Sequence, residues 1–156
     1  MKIKLLALGE KMPVWVKDGF VEYQKRLTGS SIKLKLIELP IAKRMKTGSI
    51  NVWLAQEAKT VLLELNAQDH LVILDIQSNL ISTEDLVIRM KRWQQNMLNI
   101  VILIGGPNGI DESIKALAKE KLSLSKMTFP HSIVRIIFIE QIYRAWTILQ
   151  GYPYHK

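Results

Sequence analysis

The feature that most constrains the fold is a glycine-rich turn that follows a short apolar run. Residues 100–104 read Ile-Val-Ile-Leu-Ile, a β-branched run too short for a helix, which predicts a buried strand of a parallel sheet. Residues 105–109 read Gly-Gly-Pro-Asn-Gly, and Asp111 can cap a following helix to about Lys121. Ligands of open α/β sheets bind at the carboxyl ends of strands, where bare backbone allows close approach. The turn therefore predicts a ligand site, although a strand-to-helix turn that simply needs glycine explains it equally well on its own.

Strand and helix patterns alternate along the rest of the chain, which indicates an α/β fold with a mainly parallel sheet. Ser82 and Asp85 form a capping box that starts one of the helices. A chain of 156 residues is expected to form a single domain over residues 1–156. The other strands are expected at residues 3–8, 32–39, 71–76 and 122–124, and the other helices at residues 13–27, 50–65, 82–97 and 131–150.

The charge balance favours a polyanionic partner. The sequence has 22 Lys and Arg against 14 Asp and Glu, a formal net charge of +8, which is high for so small a domain. Lys43, Arg44 and Lys46 lie in an expected loop, where no amphipathic helix face requires them. Contact with RNA or another nucleic acid explains this cluster better than general basicity does.

Composition and motifs also exclude or disfavour several classes of protein. The chain has no cysteine, which removes disulfides, thiolate metal sites and cysteine nucleophiles, and which fits a cytoplasmic protein. Its three histidines lack the spacing of metal ligands, so no metal is expected. No segment reaches the ~20 apolar residues of a membrane span. The glycine turn lacks a Walker lysine, and the first βα turn at residues 9–13 lacks the dinucleotide fingerprint, which disfavours nucleotide triphosphatases and Rossmann oxidoreductases.

The last expected helix carries apolar residues around most of its circumference. One small core cannot cover all of these directions, so a second buried surface is needed, and a homodimer is its simplest source. On this helix Glu140 and Arg144 share a face and form either a structural ion pair or a functional one. Arg135 lies on another face, where phosphate or an acidic group across an interface would pair with it. His131 is commonly a capping or core residue in such a position, and the aromatic tail at residues 152–156 is expected to dock.

Four blocks match a known family in the same order along the chain. They are Ile-Gly-Gly-Pro-Asn-Gly at residues 104–109, Leu-Ser-Lys-Met-Thr-Phe-Pro-His at 124–131, Glu-Gln-Ile-Tyr-Arg-Ala at 140–145 and Tyr-Pro-Tyr-His at 152–155. The chain thereby resembles the RlmH family of SPOUT-class methyltransferases, which methylate N3 of a pseudouridine in large-subunit (23S) ribosomal RNA. The opening of the chain also matches, so the resemblance spans essentially the whole sequence. One departure is Ser78-Asn79, where the family pattern leads us to expect a glycine.

The resemblance implies a SPOUT fold, in which helices flank a mainly parallel sheet and the carboxyl-terminal segment forms a trefoil knot. It also implies S-adenosylmethionine as the methyl donor and a homodimer. Bare glycine backbone and a loop of small residues suit a pocket for adenine and a sulfonium group. The cofactor contacts carried over are Leu74, Gly105, Leu124, Ser125, Lys126, Met127, Thr128 and Phe129.

The expected chemical roles fall on the last helix and the tail. Arg144 would stabilise charge on the carbonyl oxygens beside the ring nitrogen, and Glu140 would orient Arg144 or accept the nitrogen proton. His155 is the competing proton acceptor, and Tyr154 would stack on the flipped base. The residues expected to contact RNA are His131, Arg135 and Lys156.

The substrate is expected to be ribosomal RNA on the assembled ribosome, because so small a domain makes few RNA contacts of its own and phosphate contacts do not select a nucleotide. Two other functions fit part of these observations. One is a SPOUT methyltransferase that acts on tRNA. The other is a non-catalytic module for RNA binding or ribosome assembly, which leaves the glycine turn and the aromatic tail without a purpose.

Overall fold

A computed structural model describes residues 1–155, with side chains through residue 154. The roles predicted for the side chain of His155 and for Lys156 lie outside the described residues and stay predictions. Within residues 1–155, five strands alternate with five α-helices, and none of these helices is long and apolar enough to cross a membrane. The strands are β1 (Lys2–Leu8), β2 (Lys33–Leu39), β3 (His70–Leu74), β4 (Ile100–Ile104) and β5 (Glu120–Leu122). The helices are α1 (Val14–Arg26), α2 (Ile50–Leu63), α3 (Thr83–Gln95), α4 (Glu112–Leu117) and α5 (His131–Leu149), and a short 3₁₀ turn follows at Pro153–His155.

The sheet is entirely parallel, with the strand order β2-β1-β4-β3-β5. This confirms the predicted α/β fold with its mainly parallel sheet. Every connection between parallel strands is a crossover, so the carboxyl ends of all five strands meet at one edge, here called the carboxyl edge. The loops at this edge are residues 9–13, 40–49, 75–82, 105–111 and 123–130.

The two faces of the sheet carry separate apolar clusters, because side chains alternate along each strand. In β1, Leu5 packs with α1, α3 and α5 on one face, whereas Leu6 packs with α2 and α4 on the other. All five residues of β4 are buried, as expected for a central strand covered by helices on both sides. Each fully buried Ile or Leu side chain contributes roughly 1.5–3 kcal/mol relative to an exposed one. The central strands therefore fix the position of the loops that leave their carboxyl ends.

The predicted helix after β4 is too long, and the predicted β5 begins too late. The helix ends at Leu117 instead of about Lys121, because Ala118 is extended, with φ −64° and ψ 131°. The backbone N–H of Lys119 then donates to the Leu71 carbonyl at 2.8 Å. Pairing with β3 therefore places β5 at residues 120–122, two residues earlier than the predicted 122–124.

The strand β3 ends at Leu74 and not at Ile76, because the chain turns immediately afterwards. The N–H of Ser78 donates to the Asp75 carbonyl at 3.0 Å and closes this turn. Neither Ser78 nor Asn79 has a positive φ, so the glycine expected from the family pattern is not needed here.

The last helix and the tail are close to the prediction. The helix α5 starts directly after Pro130 and ends one residue before the predicted boundary. The tail turns back along it, with Tyr152 packed edge-on against Trp146 at 5.5 Å between ring centroids and Tyr154 against Tyr143 at 4.7 Å. The prediction that the tail docks is therefore confirmed for the aromatic residues that the structure describes.

Candidate active site

A cavity of about 690 Å³, here called the cleft, opens at the carboxyl edge between the loops that follow β3, β4 and β5. Its volume lies within the roughly 300–1,000 Å³ of small-molecule sites. Of the eight residues predicted to bind a cofactor, Lys126 is exposed and does not line the cleft. The predicted residues that do line it are Leu74, Gly105, Leu124, Ser125, Met127, Thr128 and Phe129.

One wall of the cleft is the glycine loop, residues 105–109. It closes through the N–H of Gly109, which donates to the Gly106 carbonyl at 3.1 Å, and Gly109 adopts a positive φ of 88°, which glycine accommodates without strain. A Cβ at Gly105 would lie 2.7 Å from Ile110 Cγ1 and 3.0 Å from the Gly109 oxygen. Glycine at position 105 is therefore needed for the loop to close on itself, a reason that the sequence did not indicate.

The opposite wall is the segment that follows β5, residues 123–130. Ser123 Oγ donates to the Ser125 carbonyl, and the Met127 N–H donates to Ser125 Oγ, both at 2.9 Å. The Ser123 N–H also donates to the Asn79 carbonyl at 2.9 Å, which joins this wall to the loop after β3. Small hydroxyl side chains thus hold an irregular backbone against the neighbouring loop and leave main-chain groups near the cavity.

Two charged residues of the cleft were missed at the sequence level. Asp75 directly follows β3, and Lys115 Nζ lies 3.4 Å from its carboxylate; both line the cavity. The pKa of Lys115 is raised, first by its hydrogen bond to Glu112 and also by the charge of Asp75. An acidic residue at the carboxyl end of a buried strand was the available signal for Asp75. The sequence offered no such signal for Lys115.

His131 and Arg135 lie at the start of α5, where the cleft meets the core. His131 lines the cleft. Its pKa is lowered from 6.5, first by burial and then by the positive charge of Arg135, so its imidazole is neutral at pH 7. A neutral ring can donate or accept a hydrogen bond here, but it offers no charge to a phosphate.

Arg135 corrects the sequence prediction, because it is buried and not available to RNA. Only 1% of its surface is exposed. Its Nη1 donates to Glu38 Oε1 at 2.8 Å, and its Nη2 donates to the Gly9 carbonyl at 2.5 Å. The guanidinium therefore joins α5 to β2 and to the loop after β1. The acidic partner that the sequence placed across an interface lies within the same chain.

A second group of predicted residues, here called the tail cluster, consists of Glu140, Arg144 and Tyr154. Arg144 Nε and Nη2 donate to Glu140 Oε1 at 2.8 and 2.6 Å, and the Tyr154 hydroxyl donates to the same oxygen at 3.3 Å. Gln141 Nε2 donates to Glu140 Oε2 at 2.7 Å. Burial, and then the neighbouring Tyr23, raises the pKa of Tyr154 to about 12. This phenol therefore keeps its proton at neutral pH.

The cleft and the tail cluster are separate in one subunit. Val134 is the last residue of α5 that lines the cleft, and none of the tail-cluster residues lines it. At about 1.5 Å of rise per residue, Glu140 lies about 9 Å and Arg144 about 15 Å further along the axis. Among residues 1–154, no cluster of His, Asp and Glu side chains could hold a metal ion.

Comparisons with known proteins identify relatives of this chain. The family model described as "Predicted SPOUT methyltransferase" matches residues 1–155. Ribosomal RNA large subunit methyltransferase H of Francisella tularensis subsp. novicida (strain U112) is 65% identical and covers 100% of both chains. The protein of the same name from Hahella chejuensis (strain KCTC 2396) is 42% identical over 100% of this chain and 99% of its own length.

A crystal structure of a protein from Neisseria gonorrhoeae, assigned to a methylase family, is similar at a TM-score of 0.56. It covers 91% of this chain and 81% of its own at 10% identity, and so supports the fold alone. The family model and the full-length relatives go further, because they match the sequence from its first strand to its tail. The chain belongs to the SPOUT methyltransferase family.

Proposed function

We propose that this chain transfers a methyl group from S-adenosylmethionine to N3 of a pseudouridine in large-subunit (23S) ribosomal RNA, on the assembled ribosome in the cytoplasm. The observation that carries the proposal is the cleft between the glycine loop and residues 123–130. It lies at the edge where parallel α/β sheets bind ligands, in a chain whose full-length relatives are named for methylation of large-subunit ribosomal RNA.

The cleft fits the proposed cofactor in size and in chemistry. Its lining combines backbone groups of Gly105 and Gly106 with the side chains of Leu74, Leu124 and Phe129, which suits an adenine ring that is read by main-chain donors and acceptors. When bound, S-adenosylmethionine supplies a methyl group on a positively charged sulfur. The residues of the chain hold it, exclude water from it and orient it toward the RNA.

The tail cluster provides the groups that the base requires. Methylation replaces the proton on N3, so negative charge develops on the ring nitrogen and on the flanking carbonyl oxygens. Arg144 is fixed by two hydrogen bonds to Glu140 and carries the positive charge that stabilises those oxygens. Tyr154 lies with its ring centroid 5.0 Å from the Arg144 guanidinium and provides a surface on which the base stacks.

We assign Glu140 an orienting role in this chemistry. Its two oxygens already accept hydrogen bonds from Arg144, Tyr154 and Gln141, so the carboxylate is engaged in holding other groups. Proton uptake then falls to His155, the other predicted acceptor. Replacing Glu140 by Gln should lower kcat without changing the acidic limb of the pH–rate profile, whereas replacing His155 by Gln should remove that limb.

The working form in this proposal is a homodimer. One stripe of α5, at helical spacing, contains Ile133, Ile137, Glu140, Arg144 and Ile148, all of them half-buried. It combines three isoleucines with the two charged residues of the tail cluster that lie on this helix. Pairing this stripe with its copy buries the isoleucines and brings the tail cluster of one subunit to the cleft of the other. Each active site would then combine a cofactor cleft with the partner's Arg144 and Tyr154.

Mixing two inactive chains tests this arrangement. A chain that lacks residues 152–156 keeps its cleft, whereas a Gly105→Val chain keeps its tail and loses its glycine loop. Heterodimers of the two would contain one site with an intact cleft and an intact tail, so part of the activity should return. No recovery after subunit exchange would contradict a site shared between subunits.

The substrate is tested with labelled S-adenosylmethionine and three acceptors: purified large ribosomal particles, protein-free ribosomal RNA and tRNA. We expect label on the particles, located at N3 of a pseudouridine, and little on free RNA. Equal rates on particles and free RNA would overturn the requirement for an assembled ribosome. Label on tRNA would identify the alternative SPOUT function, and no transfer or cofactor binding would leave the non-catalytic module.

A further inference from the structure

The loop after β2, residues 40–49, is fastened to the glycine loop by one arginine. We call this loop the basic arm, because it carries Lys43 and Lys46, both of which are exposed. Arg44 lies between them, and its side chain, 28% exposed, is held by hydrogen bonds to the protein. Its Nη1 donates to Glu57 Oε1 and to the Ala42 carbonyl, each at 2.6 Å, so its side chain is held by α2 and by the arm itself.

The other side of the same guanidinium holds the glycine loop. Arg44 Nε and Nη2 donate to Asn108 Oδ1 at 3.1 and 2.8 Å. Asn108 lies on the outer side of the loop, whose neighbouring glycines line the cleft. The guanidinium also lies 5.2 Å from the Trp53 ring centroid, and Trp53 packs so closely over Gly48 that a Cβ there would lie 2.5 Å from its Nε1. The planar fork of an arginine suits such a bridge, whereas a lysine cannot span both partners.

The carboxylate that anchors Arg44 is itself unusual. Glu57 is only 2% exposed. Its Oε1 accepts from Arg44 and from the Ala42 N–H, while its buried Oε2 has no hydrogen-bond partner among the described residues. That free oxygen lies 3.8 Å from the position of a Cβ on Gly106. Burying the Glu57 carboxylate costs free energy that its pair with Arg44, whose side chain is 28% exposed, only partly offsets, so stability alone does not account for a charge placed behind the cofactor loop.

We propose that Arg44 is a positioning residue that couples the basic arm to the glycine loop. Lys43 and Lys46 contact phosphates of the RNA, and Arg44 transmits the arrangement of the arm to the loop that binds the cofactor. RNA binding and cofactor binding then favour the same arrangement, and each increases the affinity for the other by the same factor. The inference rests on the proposed function, because it assigns the cleft to S-adenosylmethionine.

The sharpest variant is Asn108→Ala. It removes the acceptor on the glycine loop, leaves the Arg44–Glu57 pair intact and requires no positive φ at this position. Asn66→Ala is the matched control, because Asn66 pairs with Asp69 in the turn before β3, at the opposite edge of the sheet. Arg44→Lys is the second variant, which keeps a positive charge beside Glu57 and loses the fork.

The probe is labelled S-adenosylhomocysteine, which cannot donate a methyl group, measured with and without purified large ribosomal particles. In the wild-type chain, particles should lower its Kd. Asn108→Ala and Arg44→Lys should raise the Kd without particles by about fivefold to tenfold, the scale of one net hydrogen bond. The two variants should also reduce the factor by which particles lower the Kd, while their kcat at saturating cofactor stays within about twofold of the wild-type value. Asn66→Ala should match the wild type in every measurement.

The lysines supply a second, independent readout. Replacing Lys43 and Lys46 together by Ala should leave the Kd without particles unchanged and raise the KM for particles. It should also lower the salt dependence of that KM by roughly 0.7–0.9 in log–log slope per lost phosphate contact. Unchanged cofactor affinity in both Asn108→Ala and Arg44→Lys, or an undiminished effect of particles in them, would overturn the coupling alone. If the wild-type chain did not bind the probe at all, the proposed function would fall with it.

Discussion

Replacing Arg135 by Leu distinguishes a structural role for this arginine from the RNA contact that the sequence predicted. The side chain is 1% exposed and bonds to Glu38 and to the Gly9 carbonyl. It therefore links α5, which carries the tail cluster, to the sheet. A phosphate contact would need an exposed guanidinium, so the two roles predict different losses.

The expected loss of stability follows from these contacts. Each charge-assisted hydrogen bond contributes about 1.5–3 kcal/mol. Part of this free energy is recovered, because the variant has no guanidinium to desolvate. The Glu38 carboxylate, which is 28% exposed, is also hydrated again. We expect Arg135→Leu to lower the free energy of unfolding by about 2–3 kcal/mol, which for a chain of 156 residues lowers Tm by about 5–10 °C. Glu38→Leu should cost about 3–5 kcal/mol, because it leaves a buried cation without its anion.

The assay pairs thermal unfolding with RNA binding at several salt concentrations. Arg135→Leu should lower Tm, whereas the log–log slope of affinity against salt should match that of the wild type. Combining it with Glu38→Leu should cost less than the sum of the two single variants, because the pair is lost only once. An unchanged Tm together with a slope reduced by roughly 0.7–0.9 would refute this reasoning and restore the phosphate contact.

Three further predictions follow from the cleft and from α5. Folding lowers the pKa of His131 below its usual 6.5, so the unfolded chain binds more protons below about pH 6.5 and the free energy of unfolding falls as the pH drops through that range. His131→Gln should flatten this part of the plot of unfolding free energy against pH. A plot identical to that of the wild type would contradict the prediction. Gly105→Ala should lower both Tm and cofactor affinity, because its Cβ would collide with Ile110. Gly106→Ala should retain stability, because its Cβ would meet only contacts of 3.6 Å or more. Equal losses of Tm in the two variants, measured by calorimetry, would contradict the prediction. Ile137→Asp should convert the proposed dimer to a monomer of 17.9 kDa in sedimentation and remove methylation while cofactor binding persists. Ile88→Asp, at an isoleucine 66% exposed on α3, should change neither, and a dimer that survived Ile137→Asp would count against the α5 interface.

The elements that the sequence predicted well are those whose signals are local. β4 is a run of five apolar residues, α3 begins with a capping box that the structure retains, and Gly109 takes the positive φ of its turn. The boundaries that failed depend on distant partners. The helix α4 stops early because the backbone of Lys119 pairs with β3, a strand nearly fifty residues away, and no pattern within 111–121 carries that information.

The candidate site likewise contains residues whose positions the sequence predicted and residues whose surroundings it did not. Seven of the eight predicted cofactor residues line the cleft because the resemblance located them from local motifs, whereas the glycine turn alone fitted an ordinary strand-to-helix turn equally well. The environment of Arg135 was not, because an arginine on an apolar helix looks the same whether its partner is a phosphate, another subunit or Glu38 in a distant strand. Likewise Lys43, Arg44 and Lys46 read as one basic cluster, and only the structure shows that Arg44 is bonded to Glu57 and Asn108.

The geometry of α5 is what makes a second subunit necessary for the proposed chemistry. A continuous helix is rigid over its length, so Arg144 cannot approach the cleft that Val134 lines without a break of which this helix shows no sign. The tail does turn back toward the cleft, but Tyr154 stops at the level of Tyr143 and Glu140. Methyl transfer needs the ring nitrogen and the methyl carbon within about 3–3.5 Å of each other, whereas the residues that we propose to hold the base lie roughly 9–15 Å along the helix from the residue that lines the cleft. In the proposed mechanism the tail cluster of one chain would therefore serve the cleft of a second chain, and the half-buried isoleucines beside it are where we propose that this second chain binds.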